Sequence, residues 1–235
     1  MIEDIKKELQ KYINPEKAVH YPKFFQAYEG GYGEGDKFIG VTVPNQRKVA
    51  KKYYKTISIK DVEKLLQQDI HEYRQTALFI LTYKYEKSEE TGRKKEIVDI
   101  YISNTDYINN WDLVDSSAYK ILGDYLFDKD KKLLYKMANS SNMWEQRIAI
   151  IATLNFIKKG NFEDTLNISK SLIDHDHDLI HKAVGWMLRE VGKKNYDVEY
   201  NFLIKYYKNM PRTMLRYSIE KFDEEVRQKF LKGKI

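Results

Sequence analysis

Apolar residues recur at helical spacing along almost the entire chain, and this periodicity restricts the fold more than any other feature. Side chains three and four positions apart form one apolar stripe per segment, which predicts short amphipathic helices that each bury one face. Such stripes include Ile2, Ile5 and Leu9; Ala77, Leu78, Leu81 and Tyr85; Val114, Ala118, Ile121 and Leu122; and Ile148, Ile151 and Ala152. Only four prolines interrupt the 235 residues. The sequence therefore predicts an all-α fold.

Two kinds of break separate the predicted helices. Asn14 before Pro15, and Pro44 further on, indicate helix starts, because a side-chain cap and a proline in the first turn both suit a helix N-terminus. The segment from Gly30 to Asp36 has four glycines among its first six positions and predicts a loop. A phosphate-binding loop would also need a Lys-Ser or Lys-Thr ending and a preceding strand. The segment has neither, so nucleotide binding is the weaker interpretation.

A weak internal period suggests how the helices are arranged. Small residues recur at intervals of 31, 34 and 35 residues, at Ala118, Ala149, Ala183 and Ser218. Basic residues keep a similar interval of 35 and then 34 residues, at Arg147, Lys182 and Arg216. One helix pair per interval predicts a curved α-solenoid of HEAT-like antiparallel helix pairs, a single domain over residues 1–235, with a basic concave face. An antiparallel bundle with short loops would give similar spacing.

Composition narrows the classes of function. The chain has no cysteine, which excludes disulfides, a thiolate nucleophile and cysteine-based zinc sites, and is typical of a reducing cytoplasm. Neither a signal peptide nor an apolar run of membrane-spanning length is present, so we expect a cytoplasmic protein without a membrane partner. The net charge is +6, and from residue 201 onward nine Lys or Arg face four Asp or Glu. This excess favours a polyanionic partner, although solvated helix faces would explain it equally well.

The segment around Trp111 is the first candidate for chemistry. Asn110 is predicted to cap a helix that begins at Trp111, which places Trp111 and Asp115 four positions apart on one face. An aromatic plane and a carboxylate together suit a cationic ligand, through the ring quadrupole and the full negative charge. The alternative is a core tryptophan beside an aspartate that caps a helix or forms an ion pair.

Residues 181–190 form the second candidate. Lys182 lies four positions before Trp186, and Arg189 three positions after it, so one helix face carries two cations around an indole. Such a face suits a phosphate backbone beside an exposed base. The alternative is a tryptophan in an apolar core stripe, with Gly185 allowing close helix packing.

Arg147 forms the third candidate. It is predicted to lie near the start of a helix that follows the capping residues Ser140 to Asn142, where unpaired backbone amides add to its attraction for phosphate. A carboxylate such as Glu145 is the alternative partner.

A cluster of histidines and aspartates raises the question of a metal site. His175, His177 and His181 alternate with Asp174, Asp176 and Asp178. Their spacing does not match the usual zinc patterns, and Asp178 is predicted to be a helix cap. We therefore expect no metal and no other cofactor, and the chain shows no Ser-His-Asp arrangement.

Five segments together resemble the AlkD-like DNA alkylation repair proteins, which are HEAT-like repeat DNA glycosylases. They are residues 38–47 (FIGVTVPNQR), 110–115 (NWDLVD), 143–150 (MWEQRIAI), 181–190 (HKAVGWMLRE) and 210–216 (MPRTMLR). Their order and spacing make the resemblance specific from about residue 20 to the C-terminus.

The resemblance implies a set of functional residues. The family pairs two tryptophans with an aspartate on its catalytic face, and these correspond to Trp111, Trp186 and Asp115. Its backbone-contacting arginine corresponds to Arg147, with Arg189 nearby. Further predicted DNA contacts are Lys182, Arg216 and Arg47. An N-terminal aromatic contact of the family corresponds to Phe24, Phe25 or Tyr28.

The activity that the resemblance implies is hydrolysis of the N-glycosidic bond of cationic N3- or N7-alkylated purines, such as 3-methyladenine and 7-methylguanine, in duplex DNA. Asp115 would stabilise the oxocarbenium-like sugar and position the attacking water. The family acts from the backbone side of the DNA without a snug base pocket. The alternatives are a non-catalytic binder of damaged or branched DNA and a protein-binding solenoid. No obligate protein partner is expected.

Overall fold

The computed structural model describes all 235 residues and confirms the all-helical prediction. The helices are α1 (Ile2–Gln10), α2 (Pro15–Phe24), α3 (Val43–Tyr53), α4 (Ile59–Leu66), α5 (His71–Glu86), α6 (Thr91–Ser103), α7 (Trp111–Ala118), α8 (Asp124–Leu126), α9 (Lys132–Ala138), α10 (Met143–Ala152), α11 (Leu154–Lys158), α12 (Glu163–Ser171), α13 (Asp178–Lys194), α14 (Tyr196–Tyr206), α15 (Arg212–Ser218) and α16 (Glu224–Leu231). A π-helical turn, Tyr119–Gly123, joins α7 to α8. None of these helices has both the length and the apolar character needed to cross a membrane.

The predicted helix starts are confirmed. The Asn14 side chain accepts a hydrogen bond from the Lys17 backbone N–H at 2.9 Å, and Pro15 follows as the first residue of α2. Pro44 lies in the first turn of α3. In both cases the proline lies in the first turn, where a backbone N–H would have no partner within the helix. The missing N–H of proline therefore costs no hydrogen bond.

The chain divides into two compact units, Met1–Tyr125 and Leu126–Ile235. In the first unit, α5 is the central helix and packs against α3, α4, α6 and α7. In the second unit, α13 is central and packs against α10, α11, α12, α14 and α15. Each unit thus surrounds its longest helix with shorter ones, and a single domain over residues 1–235 stays a prediction.

The small residues of the internal period all lie in the core. Ala118 of the first unit and Ala149, Ala183 and Ser218 of the second have no exposed surface. A Cβ on Gly185 would overlap the Met214 backbone of α15. The interpretation of Gly185 as a residue that permits close helix packing is therefore confirmed.

The glycine-rich segment is a loop, as predicted, and it folds back on the end of α2. A Cβ on Gly31 would overlap the carbonyl oxygen of Gln26, and a Cβ on Gly33 would overlap that of Phe25. The loop thereby reaches Asp36, which is buried inside the first unit.

We expect Gly33→Ala to lower the free energy of unfolding by about 1–3 kcal/mol, because the added methyl group has no space against Phe25 and the side chain of Asn110. Gly92→Ala is the matched control, since a Cβ on Gly92 of α6 meets nothing within 4 Å. Urea denaturation measures both. Equal midpoints for the two variants would contradict this account of the loop.

Candidate functional site

Helix α7 carries the first two predicted site residues, Trp111 and Asp115. The Asn110 side chain accepts a hydrogen bond from the Trp111 backbone N–H at 2.9 Å, so the predicted cap is confirmed. Trp111 and Asp115 are both half-buried, whereas Leu113 and Val114 between them are fully buried. The helix therefore turns its apolar side to the core and leaves the indole and the carboxylate partly accessible.

Two phenylalanines from the end of α2 contact Trp111. The indole stacks on Phe25, with ring centroids 5.5 Å apart and planes at 26°. Phe24 meets the indole edge-on, with centroids 5.9 Å apart. Tyr28, the remaining candidate for the N-terminal aromatic contact, is exposed. The structure thus places two of the three candidates against Trp111, a distinction that sequence position alone left open.

A buried charge network lies directly behind these rings, and sequence reasoning missed it. His71 is held between two carboxylates: Nδ1 is 2.9 Å from Asp36 Oδ2, and Nε2 is 2.9 Å from Asp112 Oδ2. Arg74 donates to the other oxygen of Asp36 at 2.6 Å, and Gln75 donates to Asp112 at 2.8 Å. These bonds tie the glycine-rich loop, α5 and the first turn of α7 together.

The network fixes the charge of His71. Burial by itself lowers the pKa of the imidazole, but Asp112 and Asp36 outweigh it and raise the pKa to about 9. Burial raises the pKa of Asp36, and the bonds from His71 and Arg74 reverse this, so that the pKa falls below its usual value. At neutral pH, His71 is an imidazolium that donates to a carboxylate through each nitrogen.

The segment after the loop is fixed by Glu72. Its buried carboxylate accepts hydrogen bonds from the backbone N–H groups of Ile39, Gly40 and Val41 at 3.1, 2.7 and 3.2 Å. Burial raises the pKa of Glu72, and the backbone donors oppose this shift. The carboxylate thus orders the chain that leads into α3.

A cavity of about 350 Å³ opens beside Trp111. Its aromatic walls are Tyr21, Phe24, Phe25 and Trp111, and its polar lining comes from Gln46, His71, Glu72, Gln75 and Asp112. The resemblance described above implies a site without a base pocket, so this cavity is a feature that it does not account for.

In the second unit, α13 carries Lys182, Trp186 and Arg189. Trp186 is half-buried and donates from Nε1 to Glu190 at 3.1 Å. Each cation forms an ion pair: Lys182 with Asp178 at 2.7 Å, and Arg189 with Glu220. The cations of this face are therefore matched by carboxylates. The convergence of Trp186 with Trp111, which belongs to the other unit, stays a prediction.

The remaining predicted DNA contacts differ in exposure. Arg147 is only 4% exposed, and its guanidinium donates to the backbone carbonyl of Leu179 in the first turn of α13. Arg216 is exposed on α15. Arg47 is half-buried on α3, with its guanidinium carbon 3.9 Å from the ring centroid of Phe79. Contacts between these residues and DNA stay predictions.

The histidine cluster lies at the start of α13. His177 caps this helix, accepting from the Leu179 N–H at 3.1 Å, so the prediction of Asp178 as the cap was wrong. Asp178 forms an ion pair with Lys182 instead. His175 bonds to Gln146 at 2.8 Å, and the ring of His181 bonds to the carbonyl of His175. No group of three or more His, Asp or Glu side chains has a geometry that would hold a metal ion.

A sequence model of the family described as DNA alkylation repair enzyme matches residues 5–222. The chain belongs to this family. Membership supports a role in DNA alkylation repair and implies DNA as the binding partner.

Solved structures confirm the fold of this DNA alkylation repair family member. A predicted DNA alkylation repair enzyme from Enterococcus faecalis is 17% identical with a TM-score of 0.69, over 90% of this chain and 97% of that one. AlkD2 from Streptococcus mutans is 20% identical with a TM-score of 0.55, over 89% and 98%. The smu.31 protein from Streptococcus mutans UA159 is 19% identical with a TM-score of 0.54, over 92% and 100%. No curated protein matches the chain.

The polar residues at the start of α5 lie outside the five segments that resemble the family. His71, Glu72, Arg74 and Gln75 are consecutive or nearly so, and a polar run of this kind ordinarily indicates an exposed helix end. All four are at most 4% exposed. A run of polar residues at the start of the longest apolar helix of a unit was the only sequence sign of a buried network.

The pKa of His71 makes stability depend on pH. Because the folded pKa of about 9 lies above the unfolded value of 6.5, the contribution is fully present below pH 6.5 and is lost as the pH rises to 9. The wild type should lose about 3 kcal/mol of unfolding free energy over this interval relative to His71→Gln. Denaturation curves at several pH values measure the difference. The control is His20→Gln at an exposed histidine, and a wild type that parallels His71→Gln would refute the assignment.

Proposed function

We propose that the chain is a DNA glycosylase that hydrolyses the N-glycosidic bond of cationic N3- or N7-alkylated purines in duplex DNA. The observation that supports this most is the half-buried pair of Trp111 and Asp115 on one face of α7, within a chain of the DNA alkylation repair family. A carboxylate beside an indole is suited to a positively charged transition state.

The chemistry follows from the charge of the substrate. Alkylation at N3 or N7 gives the purine a positive charge, which weakens the bond to C1′ of the deoxyribose. When this bond breaks, its electron pair goes to the base and neutralises it, and positive charge develops on the sugar. The Asp115 carboxylate stabilises that charge, and the water that adds to C1′ loses its proton to Asp115.

The indole of Trp111 holds the reactants. In the proposed complex, its face contacts the deoxyribose and the cationic edge of the base, where the ring quadrupole attracts positive charge. Trp111 is already restrained by stacking on Phe25, so little of its freedom is lost when substrate binds.

We expect Asp115→Asn to lower the rate of base release by about 100-fold or more, because the amide cannot balance the charge on the sugar. The measurement is chromatography of free 3-methyladenine and 7-methylguanine released from methylated duplex DNA. Asp99→Asn, at an exposed acid on α6 of the same unit, is the control and should leave the rate unchanged. Absence of release by the wild type, or equal rates for wild type and Asp115→Asn, would reject the mechanism.

A non-catalytic binder of damaged or branched DNA is the second candidate function. The basic excess of the last 35 residues favours it, since nine cations against four acids attract phosphates whether or not a bond is cleaved. Unlike the glycosylase, such a binder does not depend on Asp115 for its binding or its biological role.

We expect Arg216→Ala to weaken duplex binding and to reduce the slope of log K against log salt by about 1, because one phosphate contact is lost. Fluorescence anisotropy of a labelled duplex at several salt concentrations gives the slope. Lys132→Ala is the control, at an exposed cation of the same unit outside the predicted contact set. Arg216 is better suited than Arg147 for this test, since truncation of Arg147 also removes its buried bond to Leu179. A slope equal to that of the wild type would remove Arg216 from the interface.

A further inference from the structure

Two histidines just before α13 accept hydrogen bonds from the backbone. The N–H of His177 donates to Nδ1 of His175 at 2.9 Å, and the N–H of Leu179 donates to Nδ1 of His177 at 3.1 Å. A ring nitrogen that accepts a hydrogen bond carries no proton. Both imidazole rings are therefore neutral in this arrangement.

Gln146 of α10 determines which nitrogen of His175 carries the proton. Its Nε2 group donates to the carbonyl of Ser140 at 2.9 Å, which identifies the other amide atom as the oxygen. This oxygen lies 2.8 Å from Nε2 of His175 and must accept from it. His175 thus donates to α10 with one nitrogen and accepts from the backbone that leads into α13 with the other.

Arg147 is attached to the same turn of α13. Its guanidinium donates to the carbonyl of Leu179, while His177 accepts from the N–H of that residue. Only 4% of the Arg147 surface is exposed. The start of α13 is therefore joined to α10 by His175 with Gln146 and by Leu179 with Arg147, and neutral His177 keeps Leu179 in place.

A second proton on either ring breaks this arrangement. An imidazolium has an N–H at both nitrogens, so Nδ1 of His175 or His177 would direct a donor at a backbone N–H. Each protonation removes one hydrogen bond and replaces it with a repulsive contact. His181 differs, because it donates from Nε2 to the carbonyl of His175 and keeps this bond in either protonation state.

The surroundings of the two rings favour the neutral state. Burial lowers the pKa of His175 and that of His177 below the ordinary value of 6.5, and cationic neighbours lower both further against opposing aspartates. The titratable and charged groups that face the rings are Asp176, Asp178, His181 and Lys182 along the chain and Arg147 from α10. The bonds should therefore be intact above pH 6.5 and should be lost as the pH falls below this value.

We propose that His175 and His177 are positioning residues that hold Arg147 against the first turn of α13 while both rings are neutral, and that protonation of the rings releases Arg147. The two histidines then make the accessibility of a buried arginine depend on pH. A contact between the released guanidinium and a DNA phosphate rests on the proposed function.

The first test is hydrogen exchange of the full chain, followed by NMR at about pH 7.5 and about pH 5.5 and expressed relative to the intrinsic rate at each pH. Protection of the His177 and Leu179 N–H groups should fall about 5-fold or more on acidification, because each loses its acceptor. The Lys17 N–H is the internal control, since its acceptor is the Asn14 side chain, which does not titrate in this range.

A double variant, His175→Asn with His177→Asn, separates titration from structure. Asparagine accepts from the N–H two residues ahead and is a good helix cap, but it gains no proton. Its protection should therefore change by less than about 2-fold between the two pH values. His177→Asn alone should remove the pH dependence at Leu179 and leave it at position 177, which keeps the test decisive if the double variant does not fold.

The second test measures the release of Arg147 without DNA. Its modification by phenylglyoxal is counted by mass spectrometry relative to that of exposed Arg212, which removes the effect of pH on the reagent. We expect this ratio to rise about 5-fold or more on acidification in the wild type and to stay constant in the double variant.

The outcomes distinguish this proposal from the proposed function. Equal protection of the wild type at both pH values, or an equal loss in the double variant, overturns the role of the two histidines. A constant modification ratio overturns the hold on Arg147. Because neither measurement uses DNA, a pH-dependent release in a chain that binds no duplex would support this proposal while the proposed function fails.

Discussion

The interaction on which the first unit depends is the His71 imidazolium between Asp36 and Asp112. It joins a loop, a central helix and the first turn of α7, three segments that apolar packing alone would leave free to shift against one another. Burying three charges is costly, and the attraction among them repays this cost only when every hydrogen bond is made, which requires fixed geometry. Its physical effect is therefore one of position: only one placement of Asp112 satisfies both His71 and Gln75.

That placement determines where Trp111 lies. Asp112 is its immediate neighbour, and Asn110 on the other side is fully buried and caps the helix. With the backbone fixed on both sides, the indole rests on Phe25 in one orientation. A site that stabilises charge in a transition state requires such fixed geometry. If the protein had to reorganise during the reaction, the free energy of that reorganisation would offset the stabilisation of the transition state. The buried network thus links the glycine-rich loop to the chemistry proposed for α7.

Sequence periodicity predicted the helices because each buries a continuous apolar stripe, and this requirement is local. The same stripes placed Ala118 and Ile148 in the core, and neither has exposed surface. Periodicity could not predict the charge network, because Asp36 and His71 are 35 residues apart in the sequence and are brought together only by the path of the loop. Burial of a polar residue is costly unless it is paired, and the pairing is a property of the tertiary structure. Similarly, the cavity arises from several helices and has no sequence pattern of its own.

The cations of the second unit show how ion pairing alters a prediction that rests on charge alone. Lys182 and Arg189 each form an ion pair with a carboxylate, whereas Arg216 is exposed. A phosphate that approaches Lys182 meets the Asp178 carboxylate beside it, and the repulsion between the two anions reduces the electrostatic gain. A phosphate at an exposed arginine instead releases condensed counterions from the DNA. If DNA binds this unit as proposed, the salt dependence of binding comes mainly from the exposed cations without a carboxylate partner.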